Sequence, residues 1–486
     1  MGTPFSRRRS GVLLHITSLP GRWCCGDIGP EAYHFVDFLA STGQTVWQVL
    51  PLTPPDHCGS PYQSLSVHAA DIRLISIDRI IEWGWLPPDV SEQDERKALL
   101  VQAYRAFVEM ANDADRVALA HFAQEEGARW LDDYALFLAL KQEHGGKSWH
   151  QWETPFRDRH ADALAGARER HQALVDQTTF EQFVFARQWK ELRHYASDRG
   201  VLMFGDMPIF VAHDSADVWA NRDYFSLDET GQPITVAGVP PDYFSATGQR
   251  WGNPHYRWDR MQIDDFHWWR ERIASELNRF DVIRIDHFRG FESYWEIPAS
   301  EETAIAGRWI GAPGDRLFAS LKGHFGYLPF VAEDLGVITE AVTRLRERYD
   351  MPGMKILQFA FGSGANNPYL PHHHEKNCVV YTGTHDNDTT VSWYEDLAPE
   401  MRGHVKDYLG DSGESMPWPL IRTALASIAC LAVVPMQDIL ALGKGQRMNT
   451  PGTQEENWRW RFQWSQLPEE SCRRLQHLSE LYGRAD

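Results

Sequence analysis

Cysteine is scarce in this chain, and what there is forms no pattern. Six cysteines fall in 486 residues, with Cys24 and Cys25 adjacent, Cys58, Cys378, Cys430 and Cys472 scattered, and no C-x-x-C pair. Such spacing does not make a disulfide framework, and reduced thiols in a cytoplasmic protein are the expectation. Long hydrophobic runs are also missing: nothing approaches the ~20 apolar residues that span a bilayer. The start, MGTPFSRRRSGVLLHITSLPG, places basic residues before an apolar run, but His15 breaks that run after GVLL. It is too short for the apolar core of a signal peptide, so the expected location is the cytoplasm, or an organelle interior for a mature chain. Positive charge is in deficit, with 48 Lys and Arg against 67 Asp and Glu and a net charge of −19. That field repels phosphate backbones and no basic stripe offsets it, so neither nucleic acid nor membrane is an expected partner. A G-x-S-x-G elbow is absent, and GSGAN (362–366) and GKGQ (443–446) lack the rest of a phosphate-loop fingerprint. PHHHEKN (371–377) invites a metal reading, but consecutive histidines rarely face one ion, and no metal site is assigned to it. No internal repeat or low-complexity segment is present.

Hydrophobic residues at 43% and charged residues at 24% are ordinary for a globular chain. The length allows one large domain with insertions, or two to three average ones. Aromatics are plentiful at 12%, including 20 Trp. Many lie in Gly- and Pro-rich stretches that read as loops, such as PPDYFSATGQRWGNPHYRWDR. An aromatic face in a loop covers the flat CH surface of a neutral ligand without needing charge, and sugars have such surfaces.

Eight short apolar runs end in polar residues. They are GVLLHITSLPG (11–21), TVWQVLPLTP (45–54), GVLMFGDMPIFV (200–211), FDVIRIDHFRG (280–290), LPFVAEDLG (328–336), GMKILQFAF (353–361), NCVVYTGTHDND (377–388) and LAVVPMQDIL (431–440). Continuous rather than alternating hydrophobicity is what a parallel strand buried on both faces requires. Helical patterns lie between them. Phe266, Trp269, Ile273, Leu277 and Phe280 mark one helical face, and Thr339 stands as a cap before Ala341, Val342 and Leu345. Eight strands with helices between them predict a (β/α)8 barrel, an α/β fold, over a single catalytic domain 1–486. Residues 85–195 read as helix throughout and form the largest insertion, between strands two and three, while 212–260 form a lid over the site.

In a closed parallel barrel, function sits at the C-terminal ends of the strands. Here the third run ends Gly205-Asp206, the fourth Arg284-Ile285-Asp286-His287, the fifth Glu333-Asp334 and the seventh His385-Asp386-Asn387-Asp388. One acidic strand end is usually a cap or a solvated loop; several agreeing on one rim define a cleft. Carboxylates acting on a neutral ligand point to glycoside chemistry, in which one attacks the anomeric carbon and another protonates the leaving oxygen. Arg284 lies two residues before Asp286 on the same strand face, which keeps that aspartate ionised and suits a nucleophile. The acid needs burial that raises its pKa. Glu333 and Asp334 point to opposite sides of a strand, and pattern alone does not choose between them.

These strand ends, GDMPIFV, VIRIDHFRG, FVAEDLG and TGTHDND, resemble the four motif regions of the α-amylase clan. More closely, the chain resembles the 4-α-glucanotransferases called amylomaltases or disproportionating enzymes. VPPDYFSATGQRWGNPHY, SPYQSLS (60–66) and RMNTPGT…NWRWR (447–461) carry the likeness from residue 11 to past 460. The resemblance implies Asp286 as nucleophile, Glu333 as general acid/base and Asp386 as a third carboxylate gripping sugar hydroxyls. Arg284 would orient Asp286, and His287 and His385 would bind sugar hydroxyls. Tyr62 would stack on the reacting sugar, with Asp206 at the rim. Tyr243 and Phe244 would belong to a lid on the acceptor side, with Trp251 nearby. Amylases carry D-x-x-x-N-H after the third strand, whereas Asp206 is followed by MPIFV with no His. That departure favours the transferase form.

The implied reaction is a retaining double displacement on α-1,4-glucans, with the two carboxyl groups roughly 5–5.5 Å apart. It calls for no cofactor. Binding energy at the acceptor side would favour an incoming sugar hydroxyl over water. A retaining hydrolase with the same residues is the nearest alternative, and a catalytically silent glucan-binding protein the alternative of another class.

Overall fold

The structure, a computed structural model, describes residues 3–56, 59–241, 245–453 and 456–485. Eight parallel strands follow one another around a sheet in chain order: Arg9–Leu13, Val46–Gln48, Leu202–Pro208, Val282–Asp286, Phe330–Ala332, Gly353–Ile356, Cys378–Tyr381 and Leu431–Pro435. The first pairs with both the second and the eighth. Between the fifth and sixth strands the ladder narrows to the Ala332 N–H on the Pro352 carbonyl at 2.8 Å and the Met354 N–H on Asp334 Oδ1 at 2.7 Å. Glycine is needed at this seam, because a Cβ on Gly353 would lie 2.4 Å from Asp334 Oδ2. The sheet thus comes round to the expected barrel.

Alternation along each strand decides what faces inward. Leu13, Phe204, Val282, Val331, Ile356, Val379, Tyr381 and Val433 form one buried cluster that fills the barrel. Their neighbours, such as Met203, Ile283, Ile285, Val380 and Val434, join the larger cluster outside. Helices between the strands bury one face each. The helix His267–Arg279 buries Trp268, Trp269 and Ile273, with Phe266 at its N-cap in the left-handed region. Helix Glu340–Arg348 buries Val342 and Leu345, and Thr339 caps it by accepting the Val342 N–H, as its sequence predicts.

After the second strand the chain leaves the barrel for helices Arg96–Met110, Asp113–Glu126, Asp132–Glu143, Ala161–Arg170 and Gln172–Asp198. Helix is not continuous there: between residues 144 and 153 only the short 3-10 turn Trp149–Gln151 forms. A second, antiparallel sheet escapes the sequence reading altogether. It runs Gln249–Pro254, Thr235–Val239, Ser293–Pro298, Arg308–Gly311 across its width. The first of these lies in a stretch that reads as loop, because its Gly and Pro residues depress strand propensity until cross-strand pairing overrides it. Among the described residues no helix is long and apolar enough to cross a membrane.

Candidate active site

The site grows from the inward-facing positions at the strand ends. On the third strand Gly205 lets the chain pass against Phe280, whose ring carbon would lie 2.2 Å from an added Cβ. Phe204 fills the barrel and Asp206, two residues on, takes the same side at the rim. Asp206 is in register with Arg284 on the fourth strand. Arg284 Nη1 reaches Asp206 Oδ1 at 2.7 Å and Oδ2 at 2.8 Å, and its Nη2 lies 3.0 Å from Asp286 Oδ1. The Arg284 and Asp206 side chains are buried, whereas that of Asp286 is 31% exposed. A buried guanidinium is tolerated only when well paired. Burial alone would lower the Arg284 pKa, but Asp206 and Asp286 carry it well above the ordinary value.

Just past the end of the fifth strand the two acids part. Glu333 turns inward, where its Oε2 accepts the His287 N–H at 2.7 Å and its Oε1 the Leu335 N–H at 3.0 Å. Asp334 turns away to accept the Met354 N–H and to pair with Arg346 Nε at 3.3 Å. Burial pushes the Glu333 carboxyl up to about 7; Arg284 and the two backbone donors oppose the rise, and the Asp286 charge adds to it.

Beyond the seventh strand, His385 Nε2 lies 3.3 Å from Asp386 Oδ1 and 3.0 Å from the Tyr62 hydroxyl, which donates to Asp206 Oδ2 at 2.8 Å. Tyr62 stacks on His385 with ring centroids 5.3 Å apart, and Trp458 tilts against both rings. Burial works against a charge on His385, but Asp386 outweighs it and the ring's pKa rises. Burial likewise pushes Asp386 up, yet His385, Asn449 and Arg284 together bring it far below the usual carboxylate range.

Three contributors were not singled out in the sequence. Asn449 Nδ2 donates to Asp386 Oδ1 at 2.6 Å, Arg447 Nη2 donates to the Asp386 carbonyl at 2.6 Å, and Trp458 closes over the Tyr62–His385 stack. All three belong to RMNTPGT…NWRWR, whose compact mix of Arg, Asn and Trp was the available signal.

His287 follows Asp286 in the left-handed region at φ 52°. The residue is half-buried, its Nε2 is enclosed and unpartnered, and desolvation lowers its pKa to about 4. Trp251, on the antiparallel sheet, meets it edge-on with centroids 4.9 Å apart. Tyr243 and Phe244 lie outside the described residues. The histidines of PHHHEKN are otherwise engaged. His372 Nε2 and His373 Nε2 hydrogen-bond the Ala365 carbonyl and His374 Nδ1 the Ser427 hydroxyl. Among the described residues, no three His, Cys, Asp or Glu side chains are grouped to hold a metal ion.

An eight-stranded parallel barrel with its carboxylates and an arginine gathered at one rim defines a (β/α)8-barrel enzyme. Comparison with known proteins supplies the family. The profile described as 4-alpha-glucanotransferase matches residues 14–467. The 4-alpha-glucanotransferase of Synechocystis is 48% identical over 499 residues, covering 98% of each chain. That of Thermus thermophilus is 48% identical over 499 residues, covering 98% of this chain and 99% of its own. An amylomaltase from Streptococcus agalactiae, solved in complex with acarbose, superposes with a TM-score of 0.95 at 38% identity, over 99% of this chain and 100% of that one. The chain belongs to the 4-alpha-glucanotransferase family.

Proposed function

We propose that the rim carries out glucan transfer by a retaining double displacement. Glu333 protonates the glycosidic oxygen of an α-1,4-glucan while Asp286 attacks the anomeric carbon and forms a covalent glucosyl-enzyme. After the reducing-end fragment leaves, Glu333 deprotonates the 4-hydroxyl of an incoming glucan, which takes the chain and frees Asp286. Asp386, fixed by Asn449 and Arg447, binds hydroxyls of the reacting sugar, and Tyr62, His287 and His385 surround it. Trp251 and the neighbouring lid shield the acceptor side from water.

The observation that carries this reading is the unequal treatment of two inward acids. Asp286 is ion-paired to Arg284 at 3.0 Å, whereas Glu333 has only backbone donors and a pKa pushed up to about 7 by burial. A nucleophile must be ionised and a general acid protonated near neutrality. The free thiols Cys24, Cys25, Cys378, Cys430 and Cys472 fit a reducing compartment, and we place the enzyme in the cytoplasm.

Incubation with maltotriose, with sugars separated and total reducing ends counted, tests the reaction. Longer sugars at a constant number of reducing ends are expected. Only shorter sugars with rising reducing ends would mean hydrolysis by the same residues, and no change would mean a binding protein.

A further inference from the structure

Strands three, four, five and seven supply the acids, and the loop after strand two supplies Tyr62. Strands one and eight close the ring between seven and two. His15 stands just past the first strand and Gln437 just past the eighth, two strands that pair directly. Their side chains line a recess of ≈ 270 Å³ together with His385, Met448 and Trp460. Its free interior holds about one water-sized group.

The His15 ring is 8% exposed, and its Nδ1 is buried without a partner. Gln437 is 9% exposed. A ring left so is costly unless something else occupies the recess. Burial, with Arg73 and His385 nearby, pushes the His15 pKa down to about 3. The imidazole is therefore neutral, with one donor and one acceptor nitrogen. A neutral donor–acceptor pair matches a hydroxyl, which also donates and accepts, and supplies no net charge to favour an ion. The recess shares His385 with the site.

We propose that His15 is a specificity-determining residue, and that the recess it forms with Gln437 and Trp460 takes one hydroxyl-bearing group of the glucosyl unit attacked by Asp286. This rests on the transfer reaction proposed above.

The test uses α-maltotriosyl fluoride and its 2-, 3- and 6-deoxy analogues, each modified in the reacting glucose, with glucose as acceptor. Wild type should use one analogue about 10-fold less well than the parent, as kcat/KM, because a site built around a hydroxyl rejects its absence. His15→Leu should use that analogue and the parent alike, keep the wild-type response to the other two, and melt no lower than wild type. His15→Gln, which can still hydrogen-bond, should retain most of the discrimination and serves if the Leu variant folds poorly. Unchanged discrimination in both variants, or none in wild type, would overturn the assignment and leave the recess to a structural water. Failure of wild type to transfer from the parent fluoride would instead count against the reaction itself.

Discussion

Replacing Glu276 by Gln should stabilise the protein increasingly as pH rises from 5 to 8. Glu276 lies on helix His267–Arg279, faces a cavity it shares with Tyr62 and Asp206, is 5% exposed, and has its Oε2 unpartnered. Burial pushes its carboxyl from 4.5 up to about 7, Arg279 and Arg272 oppose the rise, and Asp206 adds to it. Between those values the folded protein keeps a proton that the unfolded chain has released. The stabilisation is therefore complete below pH 4.5 and is lost as pH rises through 7. At ~1.36 kcal/mol per pKa unit, the shift from 4.5 to about 7 amounts to about 3 kcal/mol once both states are ionised. Most of that, about 2–3 kcal/mol, falls between pH 5 and 8. Gln has the same shape and does not titrate. Urea unfolding at several pH values would measure it, read as the difference between variant and wild type. That difference matters because Asp27 and Asp217, both pushed up to about 6 by burial, titrate in both proteins. A difference that stays constant from pH 5 to 8 would refute the claim that Glu276 folds in protonated.

Three further outcomes follow from the site and the barrel floor. For wild type, kcat/KM should fall as pH rises through about 7, the value to which Glu333 is raised, since the acid must carry its proton; Glu333→Gln should lose about 10²–10⁴-fold in turnover and abolish that limb without lowering the melting temperature. Removing the 2.6 Å hydrogen bond to Asp386 with Asn449→Ala should cost about 10- to 100-fold in kcat/KM, the range for a bond to a charged group, and a near-normal value would show that Arg447 and His385 suffice. Arg484 is fully buried and donates to the carbonyls of Arg9, Leu425, Ser427 and Ala429. Arg484→Met removes the side-chain donor to the Arg9 and Ala429 carbonyls, while Arg8 Nη2 still serves Leu425 and Ser427, and should cost about 2–3 kcal/mol in urea unfolding, with kcat unchanged under native conditions.

The barrel is legible in the sequence because a strand buried on both faces must be apolar at successive positions, and runs such as NCVVY and LAVVP leave few other options. The inward acids are legible for the same reason, since Arg284 and Asp286 interrupt the pattern where burial gives way to a cleft. The antiparallel sheet is not, because GQRWGNP is rich in turn formers and its strand is evident only from its pairing with Thr235–Val239. Asn449 and Arg447 are illegible for another reason. Polar residues in a loop carry no periodicity, and only closure of the barrel brings them onto Asp386. Buried, partnerless groups such as His15 and Glu276 are invisible until their surroundings are known.

The choice between Glu333 and Asp334 shows why a local pattern stops short at this rim. The fifth strand, Phe330–Ala332, ends one residue before Glu333, so period-two alternation no longer fixes which acid faces inward. Competition for hydrogen bonds decides it instead. Asp334 accepts the Met354 N–H and is ion-paired with Arg346 on the helix that follows. Glu333 is taken by the peptide N–H of His287, turned toward it by the left-handed backbone that follows Asp286. One peptide unit thus joins the two acids at the centre of the site, while Arg284 pairs with only one of them. Moving that cation to Glu333 would ionise the acid and leave Asp286 without a counter-charge. The strand ends supply the residue types, but their division of labour comes from partners dozens of residues away in the chain.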